Sequence, residues 1–184
     1  RIVDNAGNEL SSFDTGNQVW GSPAVADINN DGEIEIIVAS KSKHLFILDD
    51  ELDIVLDYDA DQYLMGTPAL GNIDDDDDLE IMFGGYSGGK YIFAINYDGS
   101  DVDGFPYDLG EKVQRGVALA DFNNNDKVDI VCGTDSEEIF VILDNATIAS
   151  GFPYYAGHDI RTAPSVLKYG EELIIFAGSR NDNF

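Results

Sequence analysis

Apolar residues in this chain fall in short runs such as IEIIVAS, HLFILD and YIFAIN, parted by Gly, Asn, Asp and Pro. No stretch sustains the three-four spacing of an amphipathic helix, so the pattern predicts short strands. Strands are expected at 23–28, 34–39, 44–48 and 54–58, then at 68–73, 79–84, 91–96 and 104–109, and again at 117–122, 128–133, 139–143 and 151–155. The runs repeat as a block. Pro23 and Pro68, in GSPAVADI and GTPALGNI, stand 45 residues apart, and the equivalent positions Asp27, Asn72 and Asp121 are separated by 45 and 49. A fourth copy, APSVLKYGEELIIFAGS, carries Pro164 at 96 residues beyond Pro68. Four short strands in each unit of roughly 45 residues is the signature of a β-propeller blade.

The expected fold is therefore all-β, a propeller of four-stranded antiparallel blades. One domain spans 1–184, with repeats at about 22–66, 67–115 and 116–162 and half-blades at 1–21 and 163–184. The half-blades are complementary, because 1–21 aligns with the later half of a blade and 163–184 with the earlier half. Two architectures follow: the terminal strands pair and close a four-bladed ring, or the sequence is a slice of a larger propeller. The slice is preferred.

Between the first two strands of each full repeat lies an acidic loop. In DINNDGEIE, oxygen-bearing side chains fall on alternate positions, at Asp27, Asn29, Asp31, Glu33 and Glu35. NIDDDDDLE supplies Asn72, Asp74, Asp76, Asp78 and Glu80, and DFNNNDKVD supplies Asp121, Asn123, Asn125, Lys127 and Asp129, with Asp78 and Lys127 acting through their backbone carbonyls. Hard divalent cations take six to eight oxygen ligands, and Ca²⁺ tolerates the irregular cage of a flexible loop. The first half of DINNDGEIE matches an EF-hand loop. The last carboxylate comes too early, however, and strand residues follow it, so the expectation is a calcium loop built into a β-hairpin, with up to three ions in the chain. The place of Gly32 is taken by Asp77 and Asp126, where positive φ is expected. In the fourth copy Lys168 stands at the first ligand position of a shortened loop, and no metal is expected there.

Composition narrows the partners. Ten basic and 36 acidic residues give a net charge of −26, which argues against nucleic acid or an anionic lipid surface as a ligand. A hydrophobic content of 43%, with ten Phe and nine Tyr, argues against disorder. No apolar run is long enough to insert into a membrane as a helix. The single cysteine, Cys132, sits in an apolar run and is expected to be a small buried hydrophobe. His44 and His158 occupy no repeated motif, there is no His-x-x-x-His, and carboxylates are too numerous for one pair to stand out, so no catalytic residue is assigned.

Two further patterns remain. Gly104-Phe105-Pro106-Tyr107 and Gly151-Phe152-Pro153-Tyr154, 47 residues apart, are expected on outer strands with their rings filling gaps between blades. The position just before each innermost strand holds Trp20, Met65, Gln114 and Arg161, which do not repeat. These should ring one propeller face near the axis, as a candidate ligand surface.

The repeats GSPAVADINNDGEIEIIVAS, GTPALGNIDDDDDLEIMFGG and GVALADFNNNDKVDIVCGT resemble the FG-GAP/VCBS family, the calcium-loop propeller repeats also found in the head of integrin α chains. The resemblance implies a propeller, calcium at the loop positions named above, and a secreted or cell-surface setting. Family members range from adhesins to enzymes with a separate catalytic domain. Three functions follow as expectations: an extracellular adhesion module for a protein or polysaccharide, the propeller portion of a carbohydrate-active enzyme such as a polysaccharide lyase, or a structural spacer.

Overall fold

The computed structural model describes residues 1–180. The last four positions of the half-blade at 163–184 lie outside the described residues. Three four-stranded antiparallel sheets follow one another along the chain. The first is built from β3 (Ala24–Ala26), β4 (Glu35–Ala39), β5 (His44–Leu48) and β6 (Ile54–Asp59), hydrogen-bonded in chain order. The second comprises β7 (Ala69–Gly71), β8 (Glu80–Gly84), β9 (Tyr91–Ile95) and β10 (Tyr107–Asp108). The third comprises β11 (Ala118–Ala120), β12 (Asp129–Gly133), β13 (Glu138–Ile142) and β14 (Tyr154–Tyr155). Two hairpins flank them: β1 (Ile2–Val3) with β2 (Glu9–Ser11), and β15 (Ser165–Tyr169) with β16 (Glu172–Phe176). Among the described residues these hairpins remain separate two-stranded sheets, and their strands do not pair with each other.

The middle strands carry the core because they are covered on both faces. β8 and β12 are buried along their whole length, and β4, β5 and β9 along most of it. One cluster joins the second and third sheets through Met82, Ile92, Val113, Ile130, Cys132 and Phe140; another joins the first and second through Ile37, Leu45, Ile81, Phe83 and Phe93. Cys132 is fully buried, and that burial pushes its thiol up to about 12, which keeps it an inert hydrophobe at neutral pH.

The inner strands are shorter than the sequence suggests, at three residues each, because their flanking residues enter loops and crossings. The outer strands β10 and β14 shrink to two residues, since Pro106 and Pro153 offer no N–H to the ladder. Phe105 is buried in the cluster between blades as expected, and Phe152 packs edge-on to Phe122. Tyr154 and Tyr155 stand exposed; among the described residues the β15–β16 hairpin alone lies beyond them.

Two repeated devices lock one blade to the next. Each crossing into a new blade inserts an apolar residue, Leu64, Val113 or Ile160, whose N–H donates to the Ser40, Gly85 or Thr134 carbonyl at the end of the previous blade's second strand. Nearer the axis, the crossings pack backbone against backbone. A Cβ on Gly21 would lie 2.4 Å from the Gly66 carbonyl oxygen, and one on Gly66 would lie 2.3 Å from that of Arg115. Glycine is what permits this approach.

Candidate functional site

Antiparallel pairing sends the connections of each blade to two ends. Loops from first to second strand and turns from third to fourth leave at one end; turns from second to third strand and crossings into the next blade leave at the other. The three acidic loops therefore share one end of the molecule.

Each loop carries the same two anchors. The ninth residue opens the second strand with its carboxylate turned back into the loop: the N–H groups of Ile28, Ile73 and Phe122 donate to Glu35, Glu80 and Asp129 at 2.9, 2.8 and 2.6 Å. Two residues earlier, the N–H groups of Glu33, Asp78 and Lys127 donate to the side chains of Asp31, Asp76 and Asn125 at 2.9, 2.9 and 3.1 Å. In the first and third loops the leading carboxylate also gathers donors. Asp27 accepts from Asp31 and Gly32, and Asp121 accepts from Asn125 and Asp126, all at 3.0 or 3.1 Å. For Asp121, burial works to raise the pKa, but the surrounding backbone N–H donors outweigh it and hold the carboxyl below its usual range.

The second loop is wound differently. Positive φ at the Gly32 position holds for Gly32 (94°) and Asp126 (68°) but not for Asp77, which corrects the sequence expectation. Its leading residue is Asn72, whose amide donates to the Asp76 carbonyl, so the N–H donors captured by Asp27 and Asp121 are not gathered there. In the third loop, Asn123 donates its amide to Asp144 at 2.8 Å, tying the loop to the neighbouring turn.

Burial makes these anchors chemically costly. Glu35, Glu80 and Asp129 are 4%, 1% and 0% exposed. Loss of water raises the pKa of all three, and Glu80, with Asp74 and Asp76 adding repulsion, is pushed up to about 7. A buried carboxylate is stabilised by a cation. In the second loop, oxygens of Asp74, Asp76 and Glu80 lie within 4.8 Å of one another. A donor set made only of oxygens fits a hard ion such as Ca²⁺. Adjacent loops also brace each other. Asn30 donates to the Asp77 carbonyl at 2.7 Å, Leu79 N–H to the Ile28 carbonyl at 2.8 Å, and Val128 N–H to the Asn72 carbonyl at 2.9 Å. In the fourth copy, β15 and β16 are joined by a tight turn at Gly170 and Glu171, and Lys168 pairs across the hairpin with Leu173.

At the opposite end, Trp20, Met65 and Arg161 line one cleft of about 410 Å³ on the axial side, together with Thr67, Arg115 and Thr162. Gln114 does not line it: Arg115, whose carbonyl packs on Gly66, takes its place, which corrects the sequence assignment. Met65 contributes from beneath, being 3% exposed, whereas Trp20 is 48% exposed. Sequence reasoning missed the residues that surround this cleft. Lys41 sits over the rings of Trp20 and Tyr63 at 5.0 and 5.7 Å, and Lys112 over Tyr86 at 5.3 Å. Four backbone bonds of one type hold this rim, from Lys41, Tyr86, Asp135 and Arg180 N–H to the carbonyls of Gln18, Tyr63, Lys112 and Asp159.

Two other groupings carry no comparable chemistry. Sequence reasoning, which found no Gly-x-Ser-x-Gly, missed Gly85-Tyr86-Ser87-Gly88-Gly89; it has the spelling of a nucleophile elbow, but it joins two antiparallel strands, not a strand and a helix, and the Ser87 hydroxyl accepts the Tyr63 N–H. Glu137, His158 and Asp159 converge, yet Glu137 accepts the Tyr155 hydroxyl and Asp159 is paired with Arg161 and Arg180.

Solved structures match along nearly the whole chain. The C-terminal domain of Pseudomonas aeruginosa PilY1 is 18% identical, with a TM-score of 0.70, over 96% of this chain and 49% of that one. BBS1N, crystallised in complex with ARL6DN, is 12% identical with a TM-score of 0.66 over 90% and 49%. The fold is a β-propeller. The computationally designed Ika4 protein is also similar, at 15% identity and a TM-score of 0.59, over 95% of this chain and 94% of that one. The propeller described here spans about half the length of the PilY1 and BBS1N chains. No family model matches the sequence, and no curated protein does.

Proposed function

We propose that this propeller is a non-enzymatic, calcium-stabilised recognition module that works in a secreted or cell-surface setting and presents the face opposite its acidic loops to a partner protein. The observation that carries the metal half is the threefold recurrence of a buried carboxylate, Glu35, Glu80 or Asp129, at the base of an oxygen-rich loop. Calcium would be held by Asp27, Asn29, Asp31 and Glu35 in the first loop and by their counterparts in the next two. It would neutralise crowded carboxylates and tie together the loops through which neighbouring blades brace each other.

The recognition half is supported by the axial cleft, where a repeated backbone framework displays side chains that differ from blade to blade. Crystallisation of the similar BBS1N in complex with ARL6DN supports a protein as the class of partner. Isothermal titration of chelator-treated protein with Ca²⁺, paired with melting curves in calcium and in chelator, tests the metal half. Up to three sites and a higher melting temperature in calcium are expected; heatless titrations with superimposable melting curves would remove the proposal.

A further inference from the structure

The cleft end of the molecule gathers most of the basic residues of a chain of net charge −26, set among acidic ones such as Asp61, Glu111, Asp135 and Asp159. Seven of the ten basic residues, Lys41, Lys43, Lys90, Lys112, Arg115, Arg161 and Arg180, lie on the turns and crossings of that end. Four of them are neutralised: Lys43 by Asp61 at 2.6 Å, Lys90 by Glu111 at 4.0 Å, Arg161 by Asp135 and Asp159 at 3.0 and 3.1 Å, and Arg180 by Asp159 at 3.7 Å. Among the described residues, Lys41, Lys112 and Arg115 make no ion pair, although carboxylates outnumber bases by 36 to 10.

These three are nonetheless held in place. Lys41 is positioned by the Trp20 and Tyr63 rings and by Gln18 Oε1 at 3.1 Å, Lys112 by the Tyr86 ring, and Arg115 by its Nε donating to the Arg161 carbonyl at 3.3 Å. Such contacts fix a cation without cancelling its charge, and each retains N–H groups for an incoming acceptor. Arg and Trp are also the residues that dominate protein interfaces.

We infer that the axial cleft and its rim, centred on Arg115, Lys41 and Lys112, form a binding site for an acidic peptide segment of a partner protein, whose carboxylates pair with these cations. The inference rests on the recognition-module reading and names its ligand chemistry. A long polyanion is disfavoured, because most of the molecule repels it. A short acidic segment needs only the local field, which reaches about 8 Å at physiological salt. A glycan would compete for rings that already carry a lysine ammonium group over one face, at Trp20, Tyr63 and Tyr86.

The test uses the full chain in excess calcium and a fluorescein-labelled, end-blocked hexaglutamate peptide, with hexaglutamine and an oligogalacturonate as comparison probes. Saturable binding of hexaglutamate alone is expected, weakening with salt and falling about tenfold or more in R115Q and in the K41Q/K112Q double variant. K168Q, at the opposite end, should bind as the parent does. Melting temperatures of the variants within the parent's range establish that the fold is intact. No saturable hexaglutamate binding, an equal loss in K168Q, or tighter binding of oligogalacturonate would each overturn the assignment. Failure of the calcium titration would leave it standing if hexaglutamate binds equally well in chelator, so the two readings fail separately.

Discussion

The Ile73 N–H donates to Glu80 Oε2 at 2.8 Å, fixing a carboxylate that is 1% exposed at the base of the second acidic loop. One hydrogen bond does not restore the hydration that burial removes, and the folded-state pKa rises from 4.5 to about 7. In the metal-free protein the folded form therefore holds this proton more tightly than the unfolded form. The stability that goes with it is fully present below about pH 4.5 and is lost as pH rises through about 7. Glu35 and Asp129 are shifted in the same direction, also chiefly by burial. Chelator-treated protein should melt at a lower temperature at pH 8 than at pH 6, and Glu80→Gln should flatten that slope. Calcium should flatten it too, by replacing the proton.

Loss of a single loop should cost less than loss of all three. Asp31 is exposed and bonded only within its own loop, accepting from Glu33 N–H and from the Asn29 amide, so Asp31→Ala removes a ligand without opening a core. A site saturated a hundredfold above its dissociation constant contributes about 2.7 kcal/mol. Asp31→Ala should bind one calcium fewer by titration and show about a third of the melting-temperature drop that chelator causes in the parent.

The elements that sequence reasoning placed best are the middle strands. β5 was expected where it is found, and β4, β8 and β12 begin one residue late, because a run buried on both faces and bounded by turn formers has one secure interpretation. The loops were legible because their carboxylates recur in one register. Their backbone was less so: Asp77 lacks the positive φ of Gly32 and Asp126, in the one loop that opens on Asn72 with its amide donating to Asp76, a contact no spacing rule encodes. The rim of the cleft was hidden for a topological reason. Lys41 meets Gln18, Trp20 and Tyr63 from segments on either side of it in sequence, and only the stacking of one blade on the next brings them together.

That stacking makes Gly66 a sharp test of the axial geometry. A Cβ there would lie 2.3 Å from the Arg115 carbonyl oxygen and 2.6 Å from its carbon, and backbone cannot rotate aside as a side chain can. Gly66→Ala should destabilise by about 1–3 kcal/mol, the usual cost of overpacking. Gly7→Ala meets nothing within 4 Å and carries only the strain of positive φ, so it should cost less. Urea unfolding of both variants checks the ranking.

The crossings offer a second contrast between chemically equal residues. Leu64 is fully buried, belongs to the cluster that joins the first two blades, and donates its N–H to Ser40 at 3.3 Å. Leu167, on the β15–β16 hairpin, is 50% exposed and, among the described residues, has no full blade beyond it. Truncating a packed leucine costs its transfer free energy and leaves a cavity, together about 2–5 kcal/mol, whereas a half-exposed one has little cavity to leave. Leu64→Ala should therefore lower the urea midpoint steeply in both calcium and chelator, because the lesion lies between blades and not in a loop. Leu167→Ala should change it little in either. If the two variants unfolded alike, the crossings would not be what holds one blade to the next.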